Sequence, residues 1–299
     1  MNFELLCKMI FDLCRKKAGN QLPDKEIESK IFALSKDEVC SLIIDASSIP
    51  ESIPHDSSEE KLFTKMIEIL LAKSFQELGL KAETIKKRSG CADVIAKSVF
   101  HHYTLVADAK AFRLSRTAKN QKDFKVEAMD QWRKDNDYAV LVCPYFQYPK
   151  QTSQIFEQAI TRNVLLFSWE HLYFMMANNI LETEKLNLSS IWNQSKLLAS
   201  SITADKLQNN FIDTQNVNIL KLLKLPDSKF ASTLLESKRV MVNRSSREID
   251  YWNNKLLEIR KYSRTKAIEE LVAALKINEK IKAIQAYSDS LNEDCDGIK

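Results

Sequence analysis

The sequence predicts an α/β protein: a helix-rich core around a central mixed β-sheet, with an added C-terminal helical subdomain. Three observations carry this reading. Short apolar runs at 103–109 (YTLVADA), 137–143 (DYAVLVC) and 163–168 (NVLLFS) have strand length and strand composition, with helical patterns around them. Gly and Pro are scarce, 4 and 6 in 299 residues, so turns are few. No strand signal recurs after residue 181, whereas 244–273 (RSSREIDYWNNKLLEIRKYSRTKAIEELVA) has strong amphipathic periodicity.

In chain order, residues 3–17 (FELLCKMIFDLCRKK) place apolar residues at helical spacing between charges. Residues 25–45 read as one or two helices, with Ser35 a candidate N-cap before KDEVCSLIID. The stretch 47–57, SSIPESIPHDS, holds two prolines and breaks the pattern. A helix capped by Ser57 or Ser58 follows, with acids in its first turn and Gly79 near its end. Residues 81–92 read as a charged connection. Asp93–Lys97 and Tyr103–Ala109 read as two strands joined by a turn at 98–102. Helices are expected at 151–161 (QTSQIFEQAIT) and 169–181 (WEHLYFMMANNIL), and a polar connector near 193–209. The division follows: an α/β core with N-terminal helices over 1–192, and a helical subdomain over 193–299 that is a candidate for dimer contacts.

The net charge of +4 is modest, but it is focused. Residues 81–125 carry 11 Lys/Arg against 4 Asp/Glu, a local charge of +7, so the remainder of the chain stands at −3. On charge alone this is either a nucleic-acid surface or a solvated basic face. The six cysteines (Cys7, Cys14, Cys40, Cys91, Cys143 and Cys295) form no CxxC pair and have no histidine at zinc-ligand spacing. They are expected to be free thiols of a reducing compartment. Glu4, Lys8 and Asp12 interrupt the N-terminal apolar residues, unlike a signal peptide, and no apolar run approaches the ~20 residues that span a bilayer. A soluble intracellular protein is expected.

The candidate chemistry lies in the hairpin. An antiparallel pair that begins at Asp93 and returns to Asp108 brings both carboxylates to one end of the sheet. Alternation along the strand puts Lys110 on the face of Asp108 and turns Ala109 away. Two hard oxygen ligands, Asp93 and Asp108, with the Ala109 carbonyl as a third, suit Mg²⁺, and Lys110 can orient water and stabilise charge on a phosphodiester. The alternative is an Asp–Lys ion pair at a strand end. Glu60 fits best as a favourable acid at a helix N-terminus. His101 and His102 fall in the hairpin turn, His55 and His171 have no identifiable partners, and no nucleophile elbow appears.

Immediately downstream, Arg113, Arg116, Lys119, Lys122 and Lys125 recur at every third residue. On an α-helix such a row spirals, so a mixture of loop and helix suits it better. Arg113, Arg116 and Lys119 are candidate phosphate holders. Asn120, Lys122 and Asp123 are candidate base readers for adenine, guanine and cytosine, with Lys125 between the two roles. The alternative is a polar helix start.

The run YTLVADAKAFRLSRTAKNQKDFK, followed by DYAVLVCPYFQYP and VLLFSWEHL, closely resembles the HindIII-type type II restriction endonucleases, which are PD-(D/E)xK nucleases. The resemblance is near-continuous from about Ala92 to Leu172 and looser through EKLFTK. The family pattern falls on Asp93, Asp108 and Lys110, with Ala92 where the pattern has proline. The resemblance implies a restriction-endonuclease-like fold and a bacterial cytoplasmic homodimer that requires Mg²⁺ but no ATP. It implies double-strand cleavage at the palindrome AAGCTT, with residues 120–125 in the major groove, and a cognate DNA methyltransferase as system partner. A structure-specific repair or junction nuclease of the same fold, and a DNA-binding protein without catalysis, are the rival readings.

Overall fold

The computed structural model describes residues 1–15, 23–86, 90–116, 121–149, 153–199 and 204–296. Four helices lead: α1 (Phe3–Arg15), α2 (Pro23–Phe32), α3 (Lys36–Ala46) and α4 (Ser58–Glu77). α1 buries Phe3, Leu6, Ile10 and Leu13, one stripe at helical spacing. α2 begins on a proline, whose fixed φ suits a first helical position. Ser35 and Glu38 close a capping box at the start of α3, and Ser57 Oγ accepts from the Glu60 amide (3.0 Å) at the start of α4.

A five-stranded sheet follows, with spatial order equal to chain order: β1 (Lys81–Thr84), β2 (Val94–Lys97), β3 (Thr104–Ala109), β4 (Tyr138–Cys143) and β5 (Val164–Ser168). β1, β2 and β3 are antiparallel neighbours, while β3, β4 and β5 run parallel, so the sheet is mixed. α5 (Gln121–Phe124) and α6 (Val126–Arg133) connect β3 to β4, and α7 (Gln154–Thr161) connects β4 to β5. Helices on both faces explain the uninterrupted apolar runs of β4 and β5. Leu105, Ala107, Val140, Val142, Leu165 and Phe167 face the layer of α1–α4 and α8 (Trp169–Ala177). Val106, Ala139, Leu141, Val164 and Leu166 face Val126 and Met129 of α6 and Ile155, Phe156 and Ala159 of α7. Each fully buried Leu, Ile or Phe contributes about 1.5–3 kcal/mol to this core.

The sequence reading is corrected at two elements. Residues 81–84 form an edge strand in place of part of the expected connection. Ala82 and Thr84 point inward while Lys81 and Glu83 point out, which blunts the edge against pairing with other chains. The polar stretch near 193–209 includes helix: after α9 (Ser189–Trp192) it holds α10 (Gln194–Ala199) and the start of α11 (Ala204–Leu223). Its polarity has a structural use. Ser195 Oγ donates to Val164 O (2.7 Å), and Gln215 Nε2 donates to Leu166 O (2.7 Å), so buried polar side chains satisfy carbonyls of the outer strand β5. At the turn end of the β2–β3 hairpin, the buried carboxylate of Glu182 accepts from Ser98 Oγ and Tyr103 Oη.

The chain divides into two compact units, Met1–Glu248 and Ile249–Lys299. The first contains the sheet and runs into α12 (Asp227–Ile259), so the boundary expected at 192/193 lies inside it. The second contains the end of α12, α13 (Arg264–Ala274) and α14 (Ile277–Asp296). It exposes Ile249, Trp252, Leu256, Leu271, Ile284 and Tyr287, each about half exposed or more.

Candidate active site and reading segment

The register of β2 on β3 builds the site. Val94 pairs with Ala107, and one residue further Asp93 stands across from Asp108. The Asp93 amide donates to Ala107 O (3.0 Å), and Asp93 Oδ2 accepts from the Ala109 amide (2.8 Å). Asp108 is 3% exposed, and the Lys110 ammonium forms an ion pair with its Oδ2. The Lys110 backbone is fixed from both sides: its amide donates to Val142 O (2.7 Å), and its carbonyl accepts from Trp169 Nε1 (2.9 Å). The three residues expected at the site therefore stand together at one end of the hairpin.

The electrostatics add a fourth residue. Burial lifts the Asp93 carboxyl well above the carboxylate range, and the charges of Asp108 and then Glu68 lift it further, against the Ala109 amide and Lys110. Glu68, on α4, is itself raised by burial, with Asp108 adding to the rise and its 2.7 Å ion pair with Lys65 opposing it. Three acids thus press on one another in a poorly solvated place. Glu68 lies far upstream in sequence and reaches the hairpin only because α4 packs on the sheet, so strand periodicity gives no sign of it. Trp169, on α8, was missed for the same reason.

This donor set fits a hard divalent cation. It offers buried or half-buried carboxylate oxygens, a strand carbonyl, and mutual repulsion that a cation relieves. Among the described residues, no three His, Cys, Asp or Glu side chains form a ready metal cage.

The reading segment is more divided than its row of cations suggests. Arg113 is turned inward and 5% exposed; it donates to Pro50 O (2.7 Å) and pairs with Glu60 (2.6 Å). This is a correction: a guanidinium spent inside the protein is not a phosphate holder. Glu60 is correspondingly more than a helix-end acid, since it also accepts from the Asp56 amide (2.8 Å). Arg116 and Asp123 pair with each other at 2.6 Å, and the Arg116 guanidinium lies over the Phe112 ring. Lys122 is exposed on α5. Lys125 is exposed at the start of α6, with a left-handed φ of 51° and its ammonium over Trp132. Lys119 and Asn120 lie outside the described residues. Of the remaining candidates, His102 is exposed in the turn and His101 Nε2 meets Thr183 O (2.9 Å). His171 is buried between Ser168 Oγ and Asn216 Oδ1, both at 2.8 Å, far from a catalytic arrangement.

The family model of the HindIII restriction endonuclease matches residues 7–288, nearly the whole chain. The chain belongs to the HindIII restriction endonuclease family. The type II restriction enzyme HindIII of Haemophilus influenzae is 41% identical over 259 residues, which cover 87% of this chain and 86% of that relative. The solved structure of restriction endonuclease FokI aligns over 58% of this chain and 34% of FokI, with 13% identity and a TM-score of 0.37, a similarity too loose to carry an argument. As a HindIII-family protein the chain is a type II restriction endonuclease, a site-specific deoxyribonuclease with DNA as its substrate. No described helix is long and apolar enough to cross a membrane.

Proposed function

We propose that this HindIII-family endonuclease cuts both strands of the palindrome AAGCTT as a Mg²⁺-dependent homodimer without ATP, in a bacterial cytoplasm, beside a cognate DNA methyltransferase that protects the same sequence. The observation that carries the catalytic half is the convergence of Asp93, Asp108 and Lys110 at one end of the β2–β3 hairpin. Asp93, Asp108 and the Ala109 carbonyl would hold the ion. When bound, it supplies positive charge at the scissile phosphate and acidifies a coordinated water. Lys110, fixed at both backbone atoms, presents its ammonium to charge that develops on the phosphoryl oxygens. Glu68 adds negative charge beside Asp93 and Asp108, and so favours cation occupancy there.

For the reading half, Lys122, Asp123 and Lys125 on and beside α5, together with Lys119 and Asn120, are assigned to DNA. Arg116 and Asp123 must part for each to reach its own contact. A partly exposed pair costs about 0–1 kcal/mol to open, which a single base contact of about 1–3 kcal/mol outweighs. A palindrome matches a two-fold dimer, one half-site per subunit. The exposed apolar side chains of the second unit support self-association there.

The deciding experiment is plasmid cleavage with Mg²⁺, with an EDTA control and Lys110→Ala alongside. Discrete linear product from a single AAGCTT, lost with EDTA and in Lys110→Ala while gel-shift binding of the same DNA persists, is expected. Cutting confined to junctions or lesions, or binding with no cutting, overturns the reading. Turnover by Lys110→Ala removes that lysine from the chemistry.

A further inference from the structure

The loop between α3 and α4 is unusual for a connection. Loops normally stay in water because their polar groups need partners. Here Ser47, Ser48 and Glu51 are buried, and Glu51 lies between Pro50 and Pro54, which stiffen the backbone. A buried carboxylate in a loop must be paired. Glu51 meets Ser115 with both carboxylate oxygens: its Oε1 accepts from the Ser115 amide (3.1 Å) and its Oε2 from the Ser115 hydroxyl (2.9 Å). Neighbouring loop residues hold the same stretch. Ser48 Oγ donates to Phe112 O (3.0 Å), and Arg113 reaches Pro50 O and Glu60. Residues 112, 113 and 115 are therefore fastened between Lys110 and the candidate base readers at 120–125.

The other side of the loop is fastened too. The Glu51 amide donates to Glu248 Oε2 (2.9 Å) on α12, and Glu248 Oε1 pairs with the buried Arg244. Arg244 also stands over the Phe3 ring at 4.3 Å and pairs with Asp45 at 3.8 Å. One residue thus joins two rigid supports: the carboxylate of Glu51 holds the stretch after the catalytic lysine, and its amide is held by α12.

We propose that Glu51 is a positioning residue for sequence discrimination, the pivot of a bracket that holds residues 112–115 and so fixes the reading segment relative to Lys110. This rests on the site-specific cleavage proposed above. Base contacts alone distinguish a wrong base pair by roughly fivefold to 150-fold in binding. A rigid link lets a misfit at the reader displace the lysine and adds to that margin at the chemical step. A slack link lets Lys110 act whatever the reader touches.

The test compares full-length wild type with Glu51→Gln, Glu51→Ala, Ser115→Ala and Ser115→Thr. Two readouts are used: the ratio of kcat/KM on AAGCTT to that on sites with one changed base pair, and amide hydrogen exchange of the peptide spanning 111–116 without DNA. The bracket predicts an ordered loss of the cognate ratio, about tenfold or more in Glu51→Ala, less in Glu51→Gln and Ser115→Ala, and near wild type in Ser115→Thr, which keeps both donors. The loss should come from faster cutting of wrong sites or slower kcat on the right one, with KM nearly unchanged. Exchange at 111–116 should quicken in the same order. A merely structural role would lower melting temperature in every variant without moving the ratio. Unchanged exchange in a folded Glu51→Gln overturns the proposal, as does an unchanged ratio. If wild type does not cut AAGCTT, the functional reading fails, while the exchange series still decides whether Glu51 restrains the stretch after Lys110.

Discussion

At the scale of single residues, the site divides into groups that chain spacing reveals and groups that packing supplies. Asp93, Asp108 and Lys110 are legible because a short hairpin connects them, and strand alternation then dictates which side chains share a face. Glu68 and Trp169 are not legible, since each arrives on a helix distant in sequence. Arg113 shows the opposite failure. Its regular place in a row of cations says nothing about which cation turns inward, and burial against Glu60 decides that. Trp169 gives a direct test of how the lysine is held. Trp169→Phe keeps the apolar bulk but removes the donor to the Lys110 carbonyl, leaving a buried acceptor unsatisfied at a cost of about 1–3 kcal/mol. A lysine displaced by a fraction of an ångström should lower single-turnover cleavage on the order of tenfold to a hundredfold, with DNA affinity unchanged. Full-rate cleavage by a folded Trp169→Phe would show that the Val142 contact alone fixes Lys110.

At the scale of elements, the apolar runs of β3, β4 and β5 were readable because strands covered on both faces are apolar throughout. β1 was not. KAET has only two inward positions, and its charges resemble those of a loop, although they serve as edge protection. The helices near 193–209 were hidden because Gln194, Ser195 and Gln215 share their buried face with Leu198 and Phe211, and Ser195 and Gln215 satisfy β5 carbonyls, which the hydrophobic period cannot register. The joint between α4 and β1 offers a second test. Gly79 has φ +88°, and a Cβ there would stand 2.8 Å from the carbonyl oxygen of Glu182, the residue whose carboxylate fastens the hairpin turn. Gly79→Ala combines backbone strain with a backbone collision, so a loss of about 2 kcal/mol or more is expected. A urea midpoint equal to wild type would contradict it.

At the scale of the whole molecule, the sequence reading divides the chain at 192/193, where composition turns polar, whereas the compact units meet at Glu248 and Ile249. α11 and much of α12 belong with the sheet because Gln215, Phe230 and Arg244 are buried in that unit. The second unit carries the dimer prediction. Leu256→Glu together with Leu271→Glu places charges on two exposed leucines and should weaken self-association at least about a hundredfold in sedimentation equilibrium. Plasmid cleavage would then stall at nicked circles, because each strand would need a separate encounter. A dimer of wild-type affinity would move the interface elsewhere. The bracket also has a bearing on how the protein matures. The bond from Asp93 to Ala109 closes 16 residues, the bond from Trp169 to Lys110 closes 59, and the bond from Glu51 to Glu248 closes 197. A chain emerging from the ribosome therefore completes its acids first, seats its lysine next, and gains the tie to α12 only when synthesis is nearly over. The candidate catalytic cluster is assembled early and the tie to α12 late, so a prematurely terminated chain is the form in which the two are separated.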